Sequence, residues 1–352
     1  MTQAEQLHQY SAPGALWEKA SDGRVRCLAC AHKCVIATGR SGICGVRFNE
    51  AGALKVPWGY VSGRGLDPVE KKPFFHALPG ALTFSFGMLG CNFKCSFCQN
   101  YGISQALRDR SCASADITPA RPEELAAEAR DSGAKLIVST YNEPLITAEW
   151  SAAVFKEARK HGLKGAFVSN GYASSEALDY LRPYADLYKA DLKTFDPENY
   201  ETVIGGKLEK VLKGIEMAHE KGFWLEIVTL LIPGFNDSLP ELEALAGFIS
   251  GVSPDIPWHV TAFHPDYEMT DRRATPAETL LQAREAGLRK GLKFVYTGNI
   301  PGQGFEDTRC PSCGVTLIRR RGFQVLENTI RVSADGKGFC RTCSAHVPGF
   351  WK

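Results

Sequence analysis

From Leu82 onward the sequence repeats one pattern: a short apolar run, a polar or glycine-bearing turn, then a stretch with apolar residues three and four apart. The runs at 82–86, 135–139, 165–169, 186–190, 224–230, 259–263 and 293–296 predict strands. The stretches at 122–131, 148–160, 176–181, 208–220, 240–249 and 276–289 predict the helices between them. Strands linked by helical crossovers lie parallel in one sheet that needs helices over it, so the fold class is α/β. Six such units and one more strand suit an incomplete barrel better than a closed one of eight. In a barrel of this type the chemistry gathers at the C-terminal ends of the strands.

The sequence places polar groups at those ends. Cys91, Cys95 and Cys98 follow the first strand, Tyr141-Asn142-Glu143-Pro144 the second, and Asn170-Gly171 the third. Asp191-Leu192-Lys193 closes the fourth and His264-Pro265 the sixth. Taken singly, Asn142 and Asn170 are ordinary turn formers, Asp191 could cap a helix and His264 could be packed. Their joint placement on one rim lifts them above those readings.

The 12 cysteines fall into three groups and one straggler, Cys112, which reads as a small buried hydrophobe. The C-x3-C-x2-C of Cys91, Cys95 and Cys98 suits one face of an iron–sulfur cube, each thiolate taking a different iron and the fourth iron left open. A zinc knuckle borrowing a fourth ligand is the alternative, although zinc sites usually pair C-x2-C units. Cys27, Cys30, Cys34 and Cys44 form a second group, in which Gly39 and Gly42 let the backbone return so that Cys44 completes a four-thiolate site for zinc or an auxiliary cluster. His32 reads as a neighbour of this group more than as a ligand. Cys310, Cys313, Cys340 and Cys343 are two C-x2-C knuckles around segments of strand alternation at 316–318 and 324–326, a zinc-ribbon pattern, with a rubredoxin-like iron site as the alternative.

Composition excludes several classes. The 41 Lys and Arg against 39 Asp and Glu leave no basic footprint for nucleic acid, and no apolar run reaches the ~18 residues of a membrane span. The opening residues lack the layout of a signal peptide. Twelve cysteines with no secretory signal point to metal or redox chemistry in a reducing compartment, so the expected location is cytoplasmic. The block Asp67-Pro68-Val69-Glu70-Lys71-Lys72-Pro73 ahead of the first barrel strand reads as an ordered connection whose charges line the mouth of the site.

These motifs resemble the radical S-adenosylmethionine (SAM) superfamily, and within it the radical SAM enzyme of the AmmeMemoRadiSam system, a relative of the pyruvate formate-lyase activating enzymes. The resemblance runs from about Arg26 to Trp351. It rests on Cys44-Gly45-Val46-Arg47, on the 67–73 block, on Gly90-Cys91-Asn92-Phe93-Lys94-Cys95, on Phe263-His264-Pro265, on Cys310-Pro311-Ser312-Cys313-Gly314 and on Val347-Pro348-Gly349. It implies a partial, TIM-like (β/α)6 radical SAM barrel at residues 81–300, with an N-terminal Cys-rich segment at 1–80 and a zinc-ribbon-like module at 301–352. The boundary before that module is marked by Gly298-Asn299-Ile300-Pro301-Gly302.

The resemblance implies a 4Fe-4S cluster on Cys91, Cys95 and Cys98 that binds SAM through its open iron and cleaves it reductively to a 5′-deoxyadenosyl radical, which abstracts hydrogen. Asn142 and Glu143 would meet the SAM amino group, Ser169 and Asn170 the ribose or methionine part, and Lys193, beside Asp191, the carboxylate. His264 would meet SAM, and Phe97 would lie against adenine. An external electron donor of flavodoxin or ferredoxin type is implied, with Memo-type and Ammecr-type proteins as partners and a small molecule or modified residue as substrate. A glycyl-radical-enzyme activating enzyme is the alternative enzyme reading. The reading outside enzymes is an iron–sulfur electron-transfer or zinc-ribbon binding module.

Overall fold

In the computed structural model, which describes residues 3–109, 112, 116–300 and 305–352, the repeating pattern builds one eight-stranded sheet. Its strands are β1 (Gly63–Pro68), β2 (Leu82–Gly87), β3 (Leu136–Ser139), β4 (Lys164–Ser169), β5 (Leu187–Asp191), β6 (Trp224–Leu231), β7 (Trp258–Ala262) and β8 (Val295–Gly298). They lie side by side in chain order, parallel from β2 to β8, with β1 antiparallel to β2. Because β1 and β8 are the two edges, the barrel stays open.

The crossovers carry α1 (Pro122–Asp131), α2 (Ala148–Arg159), α3 (Ser175–Leu181), α4 (Leu208–Glu220), α5 (Leu239–Val252) and α6 (Ala277–Arg289). Alternate strand residues face these helices: Phe167 of β4 meets Phe155 of α2 edge to face at 5.5 Å. The other face looks into the barrel. There Leu136, Val138, Ala166 and Leu187 pack around Val69, Phe74 and Ala77. The chain just after β1 therefore plugs the interior of the open barrel. The carboxylate of Glu226 on β6 fixes this plug, accepting the backbone N–H groups of Phe75 and His76, both at 2.9 Å, with His259 Nε2 at 2.7 Å.

The C-terminal residues fold back on the same plug. The hairpin β9 (Thr316–Arg321) and β10 (Gln324–Asn328) shares a core with Phe75, Phe294, Tyr296 and Trp351. Arg320 of β9 is ion-paired to Glu70 at 3.4 Å, donates to Phe75 O at 2.7 Å and lies over the Phe75 ring. At the other end, two small antiparallel sheets and the loops between them carry the first cysteine group.

Two elements differ from the sequence reading. β1 falls inside the stretch read as a connection, because Gly63-Arg64-Gly65-Leu66-Asp67 lacks the apolar alternation of a strand and sits at an exposed edge. β8 lies two residues later than expected, its register set by the pairing of Thr297 with Val260 and Gly298 with Thr261. Pro301 and Gly302 of the expected boundary lie outside the described residues.

Candidate functional site

The loop after β2 is built so that its carbonyls turn to the protein and its thiols turn to a cavity. Gly90 has φ +91°, and a Cβ there would sit 2.9 Å from Cys44 O, so this position needs glycine. Arg108 donates to the carbonyls of Cys91, Phe93 and Ile43 at 2.7, 2.5 and 2.6 Å. His32 Nε2 lies 3.1 Å from Asn92 O, and Asn170 Nδ2 donates to Asn92 Oδ1 at 2.7 Å. With the backbone clamped, Cys91, Cys95 and Cys98 line a cavity of about 560 Å³ at the C-terminal ends of the strands.

Every rim residue singled out from the sequence lines this one cavity: Phe97, Asn142, Glu143, Ser169, Asn170, Asp191, Lys193 and His264. Their local roles differ. Asn142 spends its carbonyl on Met88 N at 3.1 Å, so it ties the β3 loop to the β2 loop. Glu143 accepts from Leu145 N at 3.0 Å, Ser169 Oγ at 2.8 Å and Asn170 N at 2.7 Å. Asp191 stands between two ammonium groups, Lys189 Nζ at 3.1 Å and Lys193 Nζ at 3.2 Å. Burial works against the charge of Lys193, but the neighbouring Asp191 carboxylate is first among the groups that outweigh it and hold the ammonium well above its ordinary range. Phe97 is buried and its ring meets Phe235 at 5.7 Å, while His264 is exposed at the mouth.

Burial raises the Glu143 carboxyl to about 7, even though Asn170 N, Leu145 N and the Ser169 hydroxyl favour its charged form. A carboxylate with a raised folded-state value stabilises the fold fully below its ordinary value near 4.5, and that contribution is lost as pH rises through about 7. Relative to Glu143→Gln, the wild type is expected to lose about 3 kcal/mol of stability between pH 4.5 and pH 8. Urea melts of both proteins across that range measure the difference, and parallel curves would show that Glu143 is not perturbed.

Several cavity residues have no counterpart in the sequence reading: Lys189 lies in mid-strand, and His259 and Thr297 lie on inward faces of β7 and β8. Tyr141, of the motif after the second strand, also lines the cavity and carries a φ of +73°. A charged residue inside the otherwise apolar run Leu187-Tyr188-Lys189-Ala190 was the available signal for Lys189. The block read as lining the mouth does so: Glu70, Lys71, Lys72 and Pro73 are on the cavity wall.

The three cysteine groups differ in geometry. Cys310, Cys313, Cys340 and Cys343 bring their sulfurs within 4.8 Å of one another, the one such group of three or more ligand atoms among the described residues. The pairs Cys310–Cys343 and Cys313–Cys340 are 3.6 and 3.7 Å apart. A tetrahedron with metal–sulfur bonds of about 2.3 Å has edges of about 3.8 Å, so these thiols are set for a single ion. Cys91, Cys95 and Cys98 do not form such a group. Burial pushes the Cys95 thiol up to about 12 and the Cys91 thiol higher still. In the N-terminal group, burial and then the neighbouring Cys27, Cys44 and Cys34 push the Cys30 thiol well up, so these four share one environment. Cys112 is buried.

The family model described as the Radical SAM superfamily matches residues 87–246, which carry the cysteine loop and strands β3 to β6. A protein of Methanocaldococcus jannaschii, itself uncharacterized, is 36% identical over 94% of this chain and 97% of its own. The (2S)-3-sulfopropanediol dehydratase activating enzyme of Klebsiella oxytoca is 31% identical over 34% of this chain and 37% of that one. A putative glycyl-radical enzyme activating enzyme of Methanocaldococcus jannaschii is 26% identical over 57% and 74%. The chain thus spans little more than a third of the Klebsiella enzyme's length. Residues 87–246 are thus a radical SAM domain, and the chain is similar to glycyl-radical enzyme activating enzymes. No described helix is long and apolar enough to cross a membrane.

Proposed function

We propose that this protein is a radical SAM enzyme that cleaves SAM reductively in the cavity at the strand ends and abstracts hydrogen from its substrate. The observation that carries this reading is the convergence of Cys91, Cys95, Cys98, Glu143, Asn170, Asp191, Lys193 and His264, from five separate strand ends, on one cavity. When bound, the 4Fe-4S cluster and SAM together supply the 5′-deoxyadenosyl radical, fed by an external one-electron donor.

The chain's own residues do the holding. Cys91, Cys95 and Cys98 hold the cluster on a loop clamped by Arg108 and Asn170. Lys193 meets the SAM carboxylate as a point charge, and Glu143 and Asp191 supply negative charge toward the ammonium and sulfonium. Ser169, Asn170, Phe97 and His264 shape the ribose and adenine contacts, and Asn142 acts by fixing the loop that carries Glu143. Zinc fits the four C-terminal thiols. The N-terminal four, which do not converge on a single-ion geometry, are read as ligands of an auxiliary cluster.

Within this class we place the protein in the AmmeMemoRadiSam branch, acting on a small molecule or modified residue, with Memo-type and Ammecr-type proteins as partners. The support is the set of motifs extending through both cysteine-rich ends. The second reading, a glycyl-radical-enzyme activating enzyme, is favoured by the names of the shorter matches.

Anaerobically reconstituted protein should bind SAM and release 5′-deoxyadenosine with dithionite. Lys193→Ala is expected to weaken SAM binding by about one to two decades, the loss of one charge-assisted bond, with little change in melting temperature. Unchanged SAM affinity would remove Lys193 from the site, and no SAM binding by the wild type would remove the function.

A further inference from the structure

Four lysines, Lys71, Lys72, Lys189 and Lys193, stand on the wall of this cavity. Lys72 and Lys189 both line it, with side chains only 8% and 7% exposed. Fully burying a lysine side chain is costly unless its charge is matched. Each of these two has a single carboxylate: Lys72 has Asp67 at 2.9 Å, and Lys189 has Asp191 at 3.1 Å. Both carboxylates are shared, Asp67 with Lys71 at 2.6 Å and Asp191 with Lys193 at 3.2 Å. Four ammonium groups thus draw on two carboxylates along one wall. The other acids nearby have partners of their own: Glu70 has Arg320 and Gly80 N, Glu226 has His259, Trp224 and two backbone N–H groups, Glu143 has Leu145 N, Ser169 Oγ and Asn170 N, and Asp266 accepts from Tyr267 N.

The lysines are also held in place. The Lys72 ammonium sits 4.9 Å over the ring of Tyr141, the residue in the left-handed conformation, so charge and ring fix each other. An ammonium offers three N–H donors, and one carboxylate each leaves Lys72 and Lys189 with donors to spare toward the cavity. A second polar group there is unsatisfied: Thr297 Oγ1 is buried on the same cavity's wall and finds no hydrogen-bond partner within the protein. Lys193, whose charge is felt by Cys95, meets the carboxylate of SAM in the reading above, which leaves Lys72 and Lys189 for another ligand.

We propose that Lys72 and Lys189 form an anion-binding floor that receives a carboxylate or phosphate group of a small-molecule substrate, with Thr297 donating to the same group. The inference rests on the reading of the cavity as a SAM site and names the substrate class for it.

The test uses full-length reconstituted protein saturated with SAM, titrated calorimetrically with inorganic phosphate and, separately, with malonate. The two probes distinguish a phosphate-bearing from a carboxylate-bearing substrate. At least one should bind the wild type, and Lys72→Met should weaken that binding by about tenfold or more. Lys189→Met should do the same, but it also alters the surroundings of Asp191, so Lys72→Met, which leaves Asp191 and Lys193 untouched, is the deciding variant. Wild type that binds SAM but neither anion, or anion binding unchanged in Lys72→Met, overturns the inference and leaves the SAM reading standing. SAM affinity falling in Lys72→Met as much as anion affinity would place SAM itself on this floor and overturn it too. Wild type that fails to bind SAM defeats the underlying function instead.

Discussion

Cys95→Ala protein, reconstituted anaerobically beside the wild type, is expected to release no 5′-deoxyadenosine above background when supplied with SAM and dithionite. The reason is stoichiometric: three thiolates on one loop leave one iron of a cube open, and removing any of them opens a second. The loop itself offers no substitute ligand, since Cys91 and Cys98 are its only other cysteines. The fold should survive. Arg108, His32 and Asn170 hold the loop through the carbonyls of Cys91, Phe93 and Asn92 and the Asn92 side chain, none of which depends on the Cys95 side chain. Circular dichroism melts within about 2 °C of wild type, iron and sulfide lowered by one cluster's worth, and abolished cleavage form the expected set. Cleavage that persists in Cys95→Ala would refute the assignment of the cluster to this loop.

The parts legible in the sequence were those with local signatures. Strand and helix periods placed every crossover, since each period reports only the face that the same segment buries. Cysteine spacing separated the three thiol groups, and the rule that chemistry sits at strand ends drew Glu143, Asn170, Lys193 and His264 onto one rim before any contact was known.

What stayed hidden was long-range pairing. Glu70 and Arg320 are 250 positions apart, and neither differs in composition from a solvated surface charge. Glu226 looks like one polar residue in an apolar strand, yet its carboxylate anchors the chain that fills the barrel. Lys189 sits at an inward position that only the register with β4 and β6 reveals, opposite Val168 and Glu226. The edge strand β1 lacked alternation because an exposed edge next to a plug does not bury one clean face.

The largest stability effect is expected at another such pair, Arg47 and Glu149. The Arg47 side chain is 1% exposed and its guanidinium is spent entirely inside the protein. It donates to both carboxylate oxygens of Glu149 at 2.7 and 2.8 Å, to Ile146 O at 3.1 Å and to Cys27 Sγ at 3.2 Å. Glu149 opens α2 and also accepts from Ala15 N and Leu16 N, so one buried cation joins the N-terminal chain, the first cysteine group and the barrel. A bidentate pair in this setting is worth little over an apolar pair of the same shape, but breaking it leaves a buried charge unmatched. Arg47→Met should therefore cost about 3–5 kcal/mol in urea unfolding of the reconstituted protein. Arg47→Met with Glu149→Met should recover part of that loss, because the stranded carboxylate is gone, although Ala15 N and Leu16 N then lose their acceptor. Loss of metal from the N-terminal cysteines in Arg47→Met, with iron retained at Cys91, Cys95 and Cys98, would locate the damage at the Cys27 contact. A single variant within about 1 kcal/mol of wild type would mean that the guanidinium finds water on substitution, and that this junction is not what fastens the N-terminal segment to the barrel.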